Sequence, residues 1–192
     1  FENNMQEFEE QLDRFLDLFK QAMAEQKMDE VVKRLEEMLT EQTDINEKLN
    51  NDSQSMDELA ERELRQEKAL ENLQTSMDQA SSALEEITKD ISEQMSELMN
   101  SELMSETETM LNKAQQSMQN NNKTDSQESS SKARQNMEEM LAMAMDMKQS
   151  FQSETVEDMA KDFLKIISSA LSVSQKQEML ANESKELRSR SP

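Results

Sequence analysis

The chain has no glycine, no cysteine, no histidine, no tryptophan and no tyrosine, and its one proline is the final residue, Pro192. Each absence excludes something. Glycine is the default wherever a backbone needs positive φ, and without it a phosphate-binding loop, a dinucleotide fingerprint or a nucleophile elbow cannot be written. Without internal proline the strongest helix breaker is gone. Without cysteine there are no disulfides and no thiolate metal sites, although the compartment stays open. Without histidine and cysteine the commonest general base and the best thiol nucleophile are missing. Carboxylates alone remain for catalysis, and glutamates on solvated helix faces account for them better. The sequence therefore reads as that of no enzyme, with no cofactor.

Core material is also scarce. Hydrophobic residues are 34% of the chain and aromatics only six phenylalanines, against a usual apolar share of roughly 45–50%. The 42 carboxylates outnumber the 21 lysines and arginines, for a net charge of -21. Low hydrophobicity with high charge is a mark of disorder, which the periodicity below opposes. Nucleic acid is excluded as a partner because phosphate binding needs clustered cations. Here Arg62, Arg65 and Lys68 are interspersed with Glu61, Glu63 and Glu67, the pattern of a solvated helix face with local ion pairs. An anionic membrane surface is disfavoured on the same ground. The longest apolar-leaning run, 166–173, contains three serines, so no segment is expected to touch or span a bilayer directly. There is no signal-peptide pattern, and a start at Phe1 with an end in a polar tail suggests a piece of a longer protein.

What is present is helix-forming: Glu, Gln, Met, Leu, Lys and Ala dominate, with apolar residues in alternating steps of three and four. Phe1, Met5, Phe8, Leu12, Phe15, Phe19 and Ala22 make such a seam over 2–26, with Leu16, Leu18 and Met23 widening it. Four of the six phenylalanines lie here, so this end is expected to be the best buried, Phe15 above all. Val31, Leu35, Met38, Gln42, Ile45 and Leu49 continue over 28–49. Residues 1–50 are read as a hairpin of two helices, or as one continuous helix. Asn50–Ser55 interrupts the pattern, Asn replacing Gly at a helix end, and Ser55 stands at capping-box spacing from Glu58.

Residues 51–118 read as one long central helix. Its seam is Met56, Leu59, Glu63, Gln66, Leu70, Leu73, Met77, Ala80, Leu84, Ile87, Ile91, Gln94 and Leu98, and it is either an unbroken rod or bent near 100–109. Residues 119–131, QNNNKTDSQESSS, have no apolar member and read as a polar linker that either reverses the chain or stays disordered. Ala133, Met137, Met140, Ala144, Met147 and Phe151 open a C-terminal helical pair or one broken helix over 132–188. Val156, Met159, Phe163, Ile166, Ala170, Val173 and Leu180 carry the seam onward, past a capping spacing at Thr155 and Asp158. Residues 189–192 form a tail.

Two features invite a functional reading. Gln42, Glu63, Gln66, Gln94 and Gln177 are polar residues in seam positions, where a buried polar group fixes register or oligomer state; for Glu63 and Gln66 the solvated alternative is preferred. Five methionines lie between 137 and 147. Met137, Met140, Met143 and Met147 could present soft thioethers to Cu(I) or a plastic groove to a partner helix, although methionine more often fills gaps between helices.

The segments ELAERELRQEKALENLQTSM (58–77) and DFLKIISSALSVSQKQEMLANESKELRSRSP (162–192) resemble the Met- and Gln-rich helical region of large bacterial membrane-anchored proteins of unknown function. In those a run like ILxxLLxLSxxQExL recurs, and its counterpart here is 165–180, with Ala170 and Val173 at positions that are richer in Leu there. The resemblance implies an anchor elsewhere in the parent protein and an extracytoplasmic rod; it assigns no functional residue.

The expectation is thus an all-α, elongated antiparallel helical bundle or coiled coil with one long central helix. Phe8, Phe15, Phe19, Leu70, Leu84, Ile91, Phe151, Phe163 and Ile166 are its expected packing and interaction residues. The expected function is a non-catalytic structural or scaffolding rod whose partners are protein helices, its own or another's. The alternative is a partner-helix or Cu(I)-binding module built on the methionines.

Overall fold

A computed structural model describes the backbone of residues 2–189 and the side chains of Glu9 and residues 12–156. The described chain is all-α: α1 (Glu2–Asn50), α2 (Met56–Leu84), α3 (Lys89–Met99), α4 (Glu102–Gln119) and α5 (Lys123–Ser189). Two units divide it, Phe1–Phe151 and Gln152–Pro192. The second holds the C-terminal part of α5, of which only the side chains up to Val156 are described.

The first unit is an antiparallel four-rod bundle. Cross-links set the directions: Lys27 to Gln79 and Arg62 to Glu41 between α1 and α2, Ser81 to Ser92 between α2 and α3, and Asn112 to Glu67 between α4 and α2. Lys148 to Asp29 and Gln127 to Asn50 bring α5 back along α1, while Asn136 to Glu106 places it beside α4. The third rod is α3 followed by α4.

Helix ends follow from local chemistry. Without glycine, Asp52 (φ 52°) and Asn121 (φ 53°) take the left-handed conformation just past α1 and α4. Short polar side chains bear that conformation at lower cost than most. There Ser53 N–H donates to the Lys48 carbonyl at 3.1 Å and Asn122 N–H to that of Ser117 at 2.8 Å, closing carbonyls that a helix end leaves open. Ser55 caps α2 in a full capping box with Glu58; Ser101 caps α4 through Met104 N–H.

Several expectations are corrected. The hairpin reading gives way to the continuous one: Glu2–Asn50 is a single helix, because nothing at 26–29 breaks the backbone ladder. Residues 51–118 are three helices. The chain reverses at 85–88, where Ile87 and Thr88 N–H groups both donate to the Leu84 carbonyl. Glu85 is right-handed helical there, so this turn needs no glycine and leaves the seam unbroken on either side. The bend at Asn100 and Ser101 falls at the edge of the region expected for it. Residues 123–131 are the opening turns of α5, with Ser126, Ser129 and Ser130 fully buried. Serine is small enough to let helices approach closely.

Leu70, Leu84, Ile91 and Phe151 lie in the core. Phe15 and Phe19 do not: they are 68% and 56% exposed. Helix α1 has 49 residues and α2 only 29. The α2–α3 turn comes level with Lys20, which pairs with Glu86 at 2.5 Å, and within this unit no rung of α2 stands beside the residues before it. The side chains of Phe8, Phe163 and Ile166 lie outside the described residues.

Candidate functional site

The apolar core falls into two clusters. Ile45, Leu49, Leu59, Ala60 and Met118 form one; the other runs from Met38, Leu70, Leu111 and Ala133 through the rest of the bundle. Between them in seam order lies a polar layer: Gln42 of α1, Glu63 and Gln66 of α2, and Ser126 and Ser130 of α5, with Ala114 of α4. All six are buried. The solvated reading of Glu63 and Gln66 is therefore corrected, since helices from three sides close over them.

Glu63 is the centre. Its Oε1 accepts from Gln42 Nε2 at 2.7 Å and lies 2.6 Å from Ser130 Oγ. Gln42 Nε2 also lies 2.7 Å from Ser130 Oγ. Ser130 Oγ is in close contact with Asn46 Oδ1 as well, and Asn46 Nδ2 donates to the Ser130 carbonyl at 3.3 Å. Gln66 Nε2 donates to the Met38 carbonyl at 2.7 Å. Among the described residues, Glu63 Oε2, Gln42 Oε1 and Ser129 Oγ have no hydrogen-bond partner. Burial pushes the Glu63 carboxyl up to about 7, against the opposing pull of its Ser130 and Gln42 hydrogen bonds and of the Arg62 charge.

Arg62, next in sequence, gives its donors elsewhere. Nε binds Glu41 at 2.7 Å, Nη2 binds Asp44 at 2.6 Å and Nη1 binds Gln54 at 3.0 Å. The Glu41 hydrogen bond, above all, raises its pKa despite burial. Asp44 is held below the usual carboxylate range by its hydrogen bonds to Lys48 and then Arg62. This clamp stitches α1 to α2 beside the polar layer, and it leaves Glu63 without a cation of its own.

A second feature lies at the other end of the unit. Leu12, Phe15, Leu16, Leu18, Phe19 and Met23 of α1 are all exposed. From Ala24 onward the same helix buries Met28, Val31, Leu35 and Met38 completely or nearly so. Apolar side chains exposed in succession along one helix are an interaction surface more often than an accident.

The methionine cluster is divided. Met137, Met140 and Met147 are core residues, whereas Met143 is 41% exposed. Three of the four thioethers thus serve as packing against neighbouring helices, and the set is not gathered into one enclosed site. Among the described residues, no group of three or more Asp, Glu, His or Cys side chains is placed to hold a metal ion, and no helix is long and apolar enough to cross a membrane.

Ser130, Asn46 and the Arg62 clamp escape a reading of the sequence alone. A signal for Ser130 does exist. Ser126, Ser130, Ala133, Met137 and Met140 keep the four–three steps without a slip, so the seam enters the segment read as a linker. Comparison with family models, with curated proteins and with solved structures gives no match.

Proposed function

We propose that this chain is a non-catalytic helical scaffold: the four-rod bundle holds α1 in place, and the outer part of α1 docks the apolar face of another helix. The observation that carries this reading is the exposed row from Leu12 to Met23 on a helix whose inner part is fully packed. Charge narrows the partner. Residues 1–24 contain six carboxylates and two cations on a chain of net charge -21, so a second copy is repelled and an amphipathic helix with basic flanks is favoured. The resemblance adds a setting, the outer side of a bacterial membrane with the anchor in the parent protein. On this reading Met137, Met140 and Met147 of α5 are core, and the chemistry is that of association alone.

The test is a titration of the whole chain with a designed heptad peptide carrying a leucine seam and lysine flanks, followed by anisotropy of a dye on the peptide. Binding is expected, and the double substitution Phe15→Asp, Phe19→Asp is expected to weaken it by roughly tenfold or more. The variant is more acidic than the parent, so attraction by charge alone predicts equal or tighter binding. That outcome overturns the proposal.

A further inference from the structure

We propose that the polar layer is a proton-operated joint: the bundle is assembled around the neutral carboxylic acid of Glu63, and loss of that proton loosens the packing of α1, α2 and the first turns of α5 on one another. The argument begins with counting hydrogens. Ser130 Oγ touches two oxygens, Glu63 Oε1 at 2.6 Å and Asn46 Oδ1. A hydroxyl has one hydrogen to give. Turning the Asn46 amide over would give up the hydrogen bond of its Nδ2 to the Ser130 carbonyl and set oxygen toward oxygen there, so the orientation with Oδ1 on Ser130 Oγ is the favoured one. Three oxygens in a row, Glu63–Ser130–Asn46, need two hydrogens, and Ser130 supplies one. A protonated Glu63 supplies the other: it donates to Ser130 Oγ, which donates to Asn46 Oδ1 and still accepts from Gln42 Nε2.

The surroundings favour the same state. Gln42 Oε1 and Glu63 Oε2 are buried acceptors with no donor among the described residues. The layer is thus already short of hydrogens, and an ionised carboxylate would deepen the shortage. The charges around it give little relief. From α1, Glu41 repels, while Gln42 and Asn46 are neutral. From α2, Arg62 attracts but has its donors on Glu41, Asp44 and Gln54. From α5 come the hydroxyls of Ser126, Ser129 and Ser130; Lys132 and Arg134 pair with Glu106 and Glu138. From α4 come Ala114 and Thr107, whose hydroxyl is given to the Leu103 carbonyl at 2.7 Å, while Lys113 is exposed. A buried carboxylate without a paired cation is costly, so ionisation and tight packing compete. Acid closes the joint and alkali opens it. The position matters because the layer lies between the two apolar clusters, where a local loss of packing separates one end of the bundle from the rest.

The test uses the whole chain labelled with ¹³C at the glutamate carboxyls, with Glu63→Gln as the neutral counterpart. One carboxyl resonance is expected to titrate near neutrality and to be missing from E63Q. Amide exchange over residues 42–49 and 123–130, corrected for its intrinsic pH dependence, is expected to rise by roughly tenfold between about pH 5.5 and about pH 8.5 in the parent and to stay level in E63Q. Titration of every glutamate carboxyl below about pH 5.5, or an E63Q protein that loosens with pH as the parent does, overturns the proposal. Should E63Q fail to fold, the carboxyl titration of the parent decides alone.

Discussion

Helix α1 carries one apolar rhythm along its length and meets two fates. From Ala24 to Leu49 its seam is buried between α2 and α5; from Leu12 to Met23 it stands in solvent. Composition does not explain the difference, because the outer part holds the phenylalanines. The difference lies in what runs alongside: α2 begins at Met56 and ends at Leu84, so its rungs are used up by the time α1 is followed back to Lys20. A hydrophobic residue stabilises a fold only against a neighbour that removes it from water. The larger side chains are therefore the less important for the stability of this unit and the more available for a partner.

That contrast can be broken by substitution. The largest effect is expected for Leu35→Ala, which leaves a cavity in the inner seam and should cost about 2–5 kcal/mol in chemical denaturation. A loss under about 1 kcal/mol would mean that the inner seam is not packed as described.

The pH dependence of stability comes next. The folded pKa of Glu63, about 7, lies above its ordinary value of 4.5, so the folded chain holds an extra proton between the two. Stability from this group is intact below about 4.5, falls as pH rises, and is fully lost above about 7, a change on the order of 3 kcal/mol. Asp44 acts in the opposite direction. Its lowered pKa gives stability that is present above its ordinary value of 3.8 and lost as pH falls below it. Denaturation midpoints between about pH 2 and about pH 9 should therefore pass through a maximum at about pH 4, between the ordinary values of the two groups, and Glu63→Gln should remove the alkaline limb.

Ser55→Ala removes the side-chain half of the capping box at the start of α2, the Oγ that accepts from Glu58 N–H, and leaves the Ser55 N–H on the Glu58 carboxylate; it is expected to cost about 1 kcal/mol, read as a lower thermal midpoint. Phe15→Ala should be smallest, within about 0.5 kcal/mol, because the ring is already in water. A cost like that of Leu35→Ala would show that the outer seam is covered in solution and would erase the contrast between the two parts of α1.

Parts of this architecture are legible in the residues. The stops at Asn50–Ser55 and Asn120–Asn122 follow from which side chains tolerate positive φ, and the α2 cap from the spacing of Ser55 and Glu58. The reversal at 85–88 is hidden, because its residues are good enough helix formers and the seam keeps step through it; only packing of Ile91, Met95 and Leu98 back onto α2 reveals it. The serines of 126–130 look like linker by composition and like seam by phase, and here phase is the better guide. Glu63 is the hardest. A carboxylate in a seam position is ordinarily solvated, and nothing in its own helix says that Gln42 and Ser130 will meet it from two others.

Helix content, the residues that take glycine's place at helix ends and the period of the apolar seam are determined by the sequence alone, because each depends on contacts within a few residues along the chain. Which stretch of seam gains a neighbour, which polar residue is closed off from water and where the proton is held were decided by the tertiary structure. Those outcomes depend on where the chain turns back, and burial is a property of several helices at once.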